Sequence, residues 1–197
     1  KESYYEGLTS YPAARCVRIL NPLSADLNVM RQTLLFNTME AVQLNANRRN
    51  GNLRLYEFGN CYFYDEAARD AEKPLSAYSE QYRLAIAVTG AAVPQSWNAK
   101  PQASSFFTLR AVAEKLLRRF GLDIYALKCE PLQSDLFGDG ISLSAGNGRE
   151  LLQMGVVAPR IRRAFDLKQE VYYLEMNFDA LVKSTRKHRI AFEELSK

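Results

Sequence analysis

The chain has 197 residues, 47% of them hydrophobic and 24% charged, with a net charge of +4. This length suits one domain, or a domain with a small appendage, and permits burial of roughly 70% of the unfolded surface. No apolar run approaches the roughly 20 residues of a membrane-spanning helix, and the mild positive charge permits contact with nucleic acid without demanding it.

Lys1 to Leu8 carries charges and no apolar stretch, so it does not read as a secretory signal. With no Met at the start, the sequence reads as a segment of a longer protein. Ala13 to Leu20 is expected to be a strand, ended by Asn21-Pro22. Ser24 then stands as a helix N-cap, with Asp26 in the first turn. Apolar residues follow at helical spacing from Met30 through Leu34, Leu35, Met39, Val42 and Ala46, and the helix is expected to end near Asn50-Gly51. Leu27, Phe36 and Leu44 lie partly off that stripe, which suggests a second apolar face.

Leu53 to Tyr64 reads as a strand with Gly59 as a possible bulge, and Asp65 to Ser79 as a polar connection. Tyr82 to Thr89 reads as a buried strand, and Gly90 to Gln102 as an irregular loop holding Trp97. Ser104 or Ser105 caps a second helix, whose stripe runs from Phe106 to Phe120 with Gly121 as the stop. Asp123 to Cys129 is a further strand. Ile141 to Leu143 and Leu151 to Ala158 form a hairpin around Gly146-Asn147-Gly148. Pro159 opens a short helix, Val171 to Asn177 is a strand, and Asn177 caps a last helical turn. Strands and helices do not alternate regularly, so the expected class is α+β, an antiparallel sheet flanked by helices.

Candidate chemistry is sparse. Cys16, Cys61 and Cys129 are odd in number and far apart, and read as small buried apolar residues in a reducing cytosol, without metal ligation. His188 lies in a basic run and reads as part of a solvated linker. The glycine pairs at 138–140 and 146–148 match no phosphate loop, and Asp135 with Asp139 lacks the further oxygen ligands of a calcium loop. Arg48-Arg49, Arg118-Arg119 and Arg160 to Arg163 are basic groups near helix ends. Trp97, Phe106 and Phe107 invite comparison with a base-stacking platform, but the two phenylalanines read better as core.

Val17-Arg18-Ile19-Leu20-Asn21-Pro22-Leu23-Ser24, followed by Met30-Arg31-Gln32-Thr33-Leu34-Leu35, resembles beta chains of bacterial phenylalanyl-tRNA synthetase. Those carry a similar strand, an Asn-Pro-Leu-Ser turn and a Met-Arg-x-Ser-Leu-Leu helix start. Leu53 to Phe63, Phe106 to Arg110, Gly155 to Pro159 and Phe192 to Lys197 continue the resemblance in order, over nearly the whole chain. Ser134 to Gly138 departs from a His-Pro element of the family, and Gly155 to Pro159 lacks its Glu-Leu-His.

The resemblance implies a fold similar to the class II synthetase core over residues 1–182, and a linker over 183–197 toward a C-terminal domain. Arg54 and Glu57 lie in a strand resembling the ATP-binding motif 2, but nothing resembles the Gly-rich strand with its closing Arg. A catalytically inactive structural domain follows, with no catalytic, cofactor or metal residue of its own. The holoenzyme would use ATP and magnesium to attach phenylalanine to tRNA, with chemistry in the alpha chain. The partner expected is that alpha chain, in a cytoplasmic assembly of two alpha and two beta chains, with tRNA peripheral and no membrane. Leu27, Met30, Arg31, Phe36 and Leu44 are the expected subunit contacts, and Asn21, Pro22 and Ser24 an architectural turn. The alternatives are an RNA-binding module using the arginine pairs, and an active nucleotide-binding ligase domain using Arg54 and Glu57.

Overall fold

The computed structural model describes residues 1–185. Six strands form one antiparallel sheet in the order β1-β2-β8-β7-β6-β5. They are β1 (Leu53–Tyr64), β2 (Tyr78–Thr89), β5 (Lys128–Pro131), β6 (Phe137–Ser144), β7 (Glu150–Val157) and β8 (Val171–Asn177). A small pair, β3 (Ala91–Val93) and β4 (Gln102–Ala103), sits within the expected loop. The helices are α1 (Leu35–Asn47), α2 (Phe106–Arg119), α3 (Pro159–Ala164) and α4 (Phe178–Thr185). The α+β class and the antiparallel sheet are therefore as expected.

Strand alternation builds a core on each face. Cys61, Phe63, Ala85, Ala87 and Tyr173 pack with Leu35, Met39 and Val42 of α1, Ile161 of α3 and the segment before α1. Leu84, Val88, Leu152, Met154, Leu174 and Met176 pack on the other face with Leu109, Ala113 and Leu117 of α2 and Leu181 of α4. Ser105 starts α2 with a capping box shared with Thr108, and Gly121 takes a left-handed φ of 74° after its end. Asn177 accepts from the Ala180 amide at 2.9 Å, so it caps α4 as expected.

Several expectations are corrected. Residues 13–20 form no strand. A 3-10 turn at Ala13–Arg15 leads to one isolated bridge between Arg18 and Val29. Bonds from Ile19 N to Asn28 O and from Met30 N to Val17 O close its base, and the chain between loops out with Leu20 and Leu23 exposed. The first helix begins at Leu35, not before Met30. Backbone groups ahead of it are already committed: the Arg31 carbonyl accepts from Tyr62 N at 2.8 Å, and Gln32 N donates to the Tyr5 hydroxyl at 2.9 Å. Ser24 precedes only a 3-10 turn, Ala25–Leu27, and its side chain makes no cap bond. Gly59 is no bulge, because the β1–β2 register runs unbroken from Leu53↔Thr89 to Tyr64↔Tyr78.

The span 123–129 divides into a 3-10 turn, Ile124–Ala126, and the start of β5. Cys129 is exposed while Cys16 and Cys61 are buried. Phe107 is exposed too, so it is not core. Lys183 to Thr185 complete α4, and the rest of the expected linker, with His188, lies outside the described residues.

Candidate functional site

The face of the sheet toward α1 holds charge at its centre. Arg83 on β2 donates to Glu175 on β8 at 2.6 Å, and the Glu175 side chain is only 6% exposed. The other carboxylate oxygen accepts from the Thr33 hydroxyl, the Tyr173 hydroxyl and the Leu34 amide. Glu175 thus serves the start of α1, which has no cap side chain at Leu34. Arg83 also donates to Tyr11 and Gln81 and lies over the Phe63 ring. Burial opposes its charge, but Glu175 and Tyr11 more than offset that, and the guanidinium is held even more firmly protonated than usual. Burial, then the Glu175 carboxylate, raises the Tyr173 phenol well above its ordinary value. The pair is satisfied by this domain's own groups.

Arg31 follows the same pattern nearer the edge. It donates to Glu57 at 2.5 Å and to the Asn60 carbonyl at 3.0 Å. A Cβ at Gly59 would stand 2.0 Å from its guanidinium, so the glycine makes room for the arginine. Arg54, in contrast, donates to the Ala92 carbonyl at 2.6 Å. Residues three apart on a strand point to opposite faces, so Arg54 and Glu57 do not share one nucleotide site. The arginine pairs are likewise divided: Arg48-Arg49 follow α1, and Arg118-Arg119 end α2 on the other face. Arg118 is paired with Glu114.

The expected contact set is only partly on the surface. Leu27 and Leu44 are exposed, and Met30 and Arg31 are half-buried. Phe36 is 4% exposed and packs against the rings of Tyr4 and Tyr5, so it belongs to the domain's own core. The reading of Phe36 as a partner contact is therefore wrong: Tyr4 and Tyr5, in the segment before α1, cover it. Asn21, Pro22 and Ser24 lie in the exposed loop, while Arg31 is held on β1.

Among the described residues, an apolar groove stays uncovered on the opposite face, at the edge strand. Tyr56 and Phe58 of β1, Leu84 and Ile86 of β2, and Val112 and Leu116 of α2 line a groove of about 350 Å³. Tyr56 is 75% exposed. Phe178 of α4 meets Phe58 and Tyr82 edge-on at 5.2 and 5.9 Å, so α4 borders the same surface. Sequence reasoning missed it, although a signal was present: both alternating rows of β1 are largely apolar or aromatic.

This architecture is a fold also found among solved synthetase structures. Two structures of pyrrolysyl-tRNA synthetase from Desulfitobacterium hafniense share it. One has a TM-score of 0.64 at 13% identity, covering 94% of this chain and 59% of that one. The other has a TM-score of 0.61 at 14% identity, covering 88% and 54%. At such identity the likeness is one of fold. A family model described as the phenylalanyl tRNA synthetase beta chain CLM domain matches residues 1–178, and the chain belongs to that family. It is 43% identical over 197 residues to the phenylalanine–tRNA ligase beta subunit of Bacteroides thetaiotaomicron, covering 100% of this chain and 24% of that protein. The Porphyromonas gingivalis beta subunit is 37% identical, with 98% and 24% covered. The chain thus spans 24% of the length of these relatives. No helix among the described residues is long and apolar enough to cross a membrane.

Proposed function

We propose that this domain is a non-catalytic, interaction-bearing part of a phenylalanine–tRNA ligase beta subunit. In this reading it supports the attachment of phenylalanine to tRNA, with ATP and magnesium, by an alpha chain in the cytoplasm. The assembly holds two alpha and two beta chains, and tRNA contact is peripheral. The observation that carries the proposal is the sheet itself: its charged face is closed by the domain's own residues, and its apolar face stays open along β1. The names of the relatives, each a beta subunit, support a second chain as occupant of that groove.

Co-purification with the alpha chain tests it. Tyr56→Ser and Val112→Glu should lower recovery of the alpha chain roughly tenfold while leaving the thermal midpoint within a few degrees, as for a surface anchor whose loss costs about 1–2 kcal/mol. Unchanged recovery would place the partner elsewhere. ATP–pyrophosphate exchange by this chain alone, lost in Arg54→Ala, would overturn the non-catalytic reading.

A further inference from the structure

Two adjoining depressions open on the α2 side of the sheet, away from the β1 groove. The first, of about 290 Å³, is lined by Phe106, Asp139, Ile141, Val156, Glu170 and Tyr172. The second, of about 400 Å³, shares Glu170 and Tyr172 and adds Gly90, Ala103, Ser104 and Gln169. Two carboxylates and two aromatic rings therefore converge, and no basic side chain among the described residues lines either depression. The nearby cation, Arg162, is engaged with the carbonyls of Val157 and Gln169.

Two features make this more than an acidic patch. The Tyr172 hydroxyl donates to Glu170 at 2.5 Å, fixing the carboxylate beside the ring. That bond, then burial, pushes the phenol up to about 12, so it stays a donor at neutral pH. Ser104 is only 7% exposed, and its hydroxyl is a buried polar atom without a partner among the described residues. Its amide is already spent on the Gly90 carbonyl at 2.8 Å. A buried hydroxyl left unpaired keeps its desolvation cost, which a ligand N–H entering the second depression would relieve.

We propose that the paired depressions receive an arginine side chain carried by a partner polypeptide. A guanidinium is planar, suits aromatic walls, and has five donors to divide between two carboxylates and a hydroxyl. Phosphate, and with it an RNA backbone, is repelled by Asp139 and Glu170. Free arginine has the same net charge as a peptide-borne one but adds two further charges, an α-ammonium and an α-carboxylate, and both must shed water to enter. A peptide-borne arginine has neither. The inference does not rest on the proposed role of the β1 groove.

The experiment uses the whole beta chain assembled with its alpha chain, bearing a photoreactive benzoyl-phenylalanine at Ile141. The expected crosslink falls on an arginine-bearing polypeptide segment. N-acetyl-arginine methylamide should compete for it, free arginine several-fold less well, and the citrulline analogue not at all. Asp139→Asn with Glu170→Gln should cut the yield roughly tenfold, as for loss of charged hydrogen bonds. Ser104→Ala should cut it about threefold without lowering the thermal midpoint, because it removes an unpaired buried group. A crosslink to RNA or to a segment lacking arginine overturns the proposal. So does the absence of any crosslink, or equal competition by the citrulline analogue.

Discussion

On the α1 face, β2 and β8 place Arg83 and Glu175 in the middle of the sheet. The rows behind them, on the α2 face, hold Leu84, Ile86, Leu174 and Met176. The charged face is closed by the segment before α1, whose Thr33, Leu34 and Tyr11 supply bonds to the pair. The apolar face is closed by α2 and α4 only over its centre, and stays open along β1. A buried ion pair tolerates no loose cover, since each unpaired group would carry its full desolvation cost. An apolar groove loses far less by waiting for another chain to cover it. The difference shows why the charged face must be completed within the domain while the apolar one can stay open.

Removing Glu175 should break the first half of that comparison most severely. Glu175→Ala leaves Arg83 buried without its partner and should cost about 3–5 kcal/mol in urea unfolding. Replacing both residues with leucine should recover much of that loss. A cost below about 1 kcal/mol for the single change would mean that the pair is not what closes this face.

Alkaline pH should bear more heavily on the α1 face, with Tyr172 the α2-side phenol that shares the effect. Burial, then Glu175, pushes the Cys61 thiol up to about 12, and the same causes push the Tyr11 phenol up to about 12. Both lie on the α1 side, and both keep their protons in the folded state after the unfolded groups, at about 8.5 and 10, have lost theirs. Stability present below those unfolded values should therefore drain away as pH rises from about 9 toward 12. Cys61→Ala should flatten that slope. At pH 8, Cys129 should react quickly with a thiol reagent while Cys16 and Cys61 stay protected.

The smallest contrast concerns two serines. Ser105→Ala should cost about 1 kcal/mol, because its hydroxyl caps α2. Ser24→Ala should change stability by no more than a few tenths of a kcal/mol, because its side chain caps nothing. Thermal unfolding of the two variants measures the difference.

These serines also mark how far the sequence could be read. Ser105 was legible because its cap, its apolar stripe and its stop at Gly121 agree locally. Ser24 shows the same cap signature, but the backbone after it bonds to β1 and to Tyr5, residues that no window around position 24 includes. Leu53–Tyr64 and Val171–Asn177 were read to their ends, since composition and flanking turns coincide there. The charged centre could not be read, for Thr33 and Glu175 are 142 positions apart. Strand parity could have separated Arg54 from Glu57 without any structure, and it shows the rows of β1 to be apolar on both sides. Phe36 was misjudged because its cover comes from Tyr4 and Tyr5, which no helical period connects to it.

The place of β8 has a consequence for synthesis on the ribosome. It is the last strand among the described residues, yet it lies between β2 and β7. The β1–β2 ladder and the β5–β6–β7 ladder can each form from neighbouring segments, but nothing else in the sheet joins them. Until residue 177 has left the exit tunnel, the nascent chain holds two unjoined half-sheets, each with an open inner edge. Release of this last strand closes both edges in one step, and its Glu175 reaches Arg83 and Thr33 in the same event. A pause in translation just before β8 should leave a species prone to pair with strangers, and a pause just after it should not.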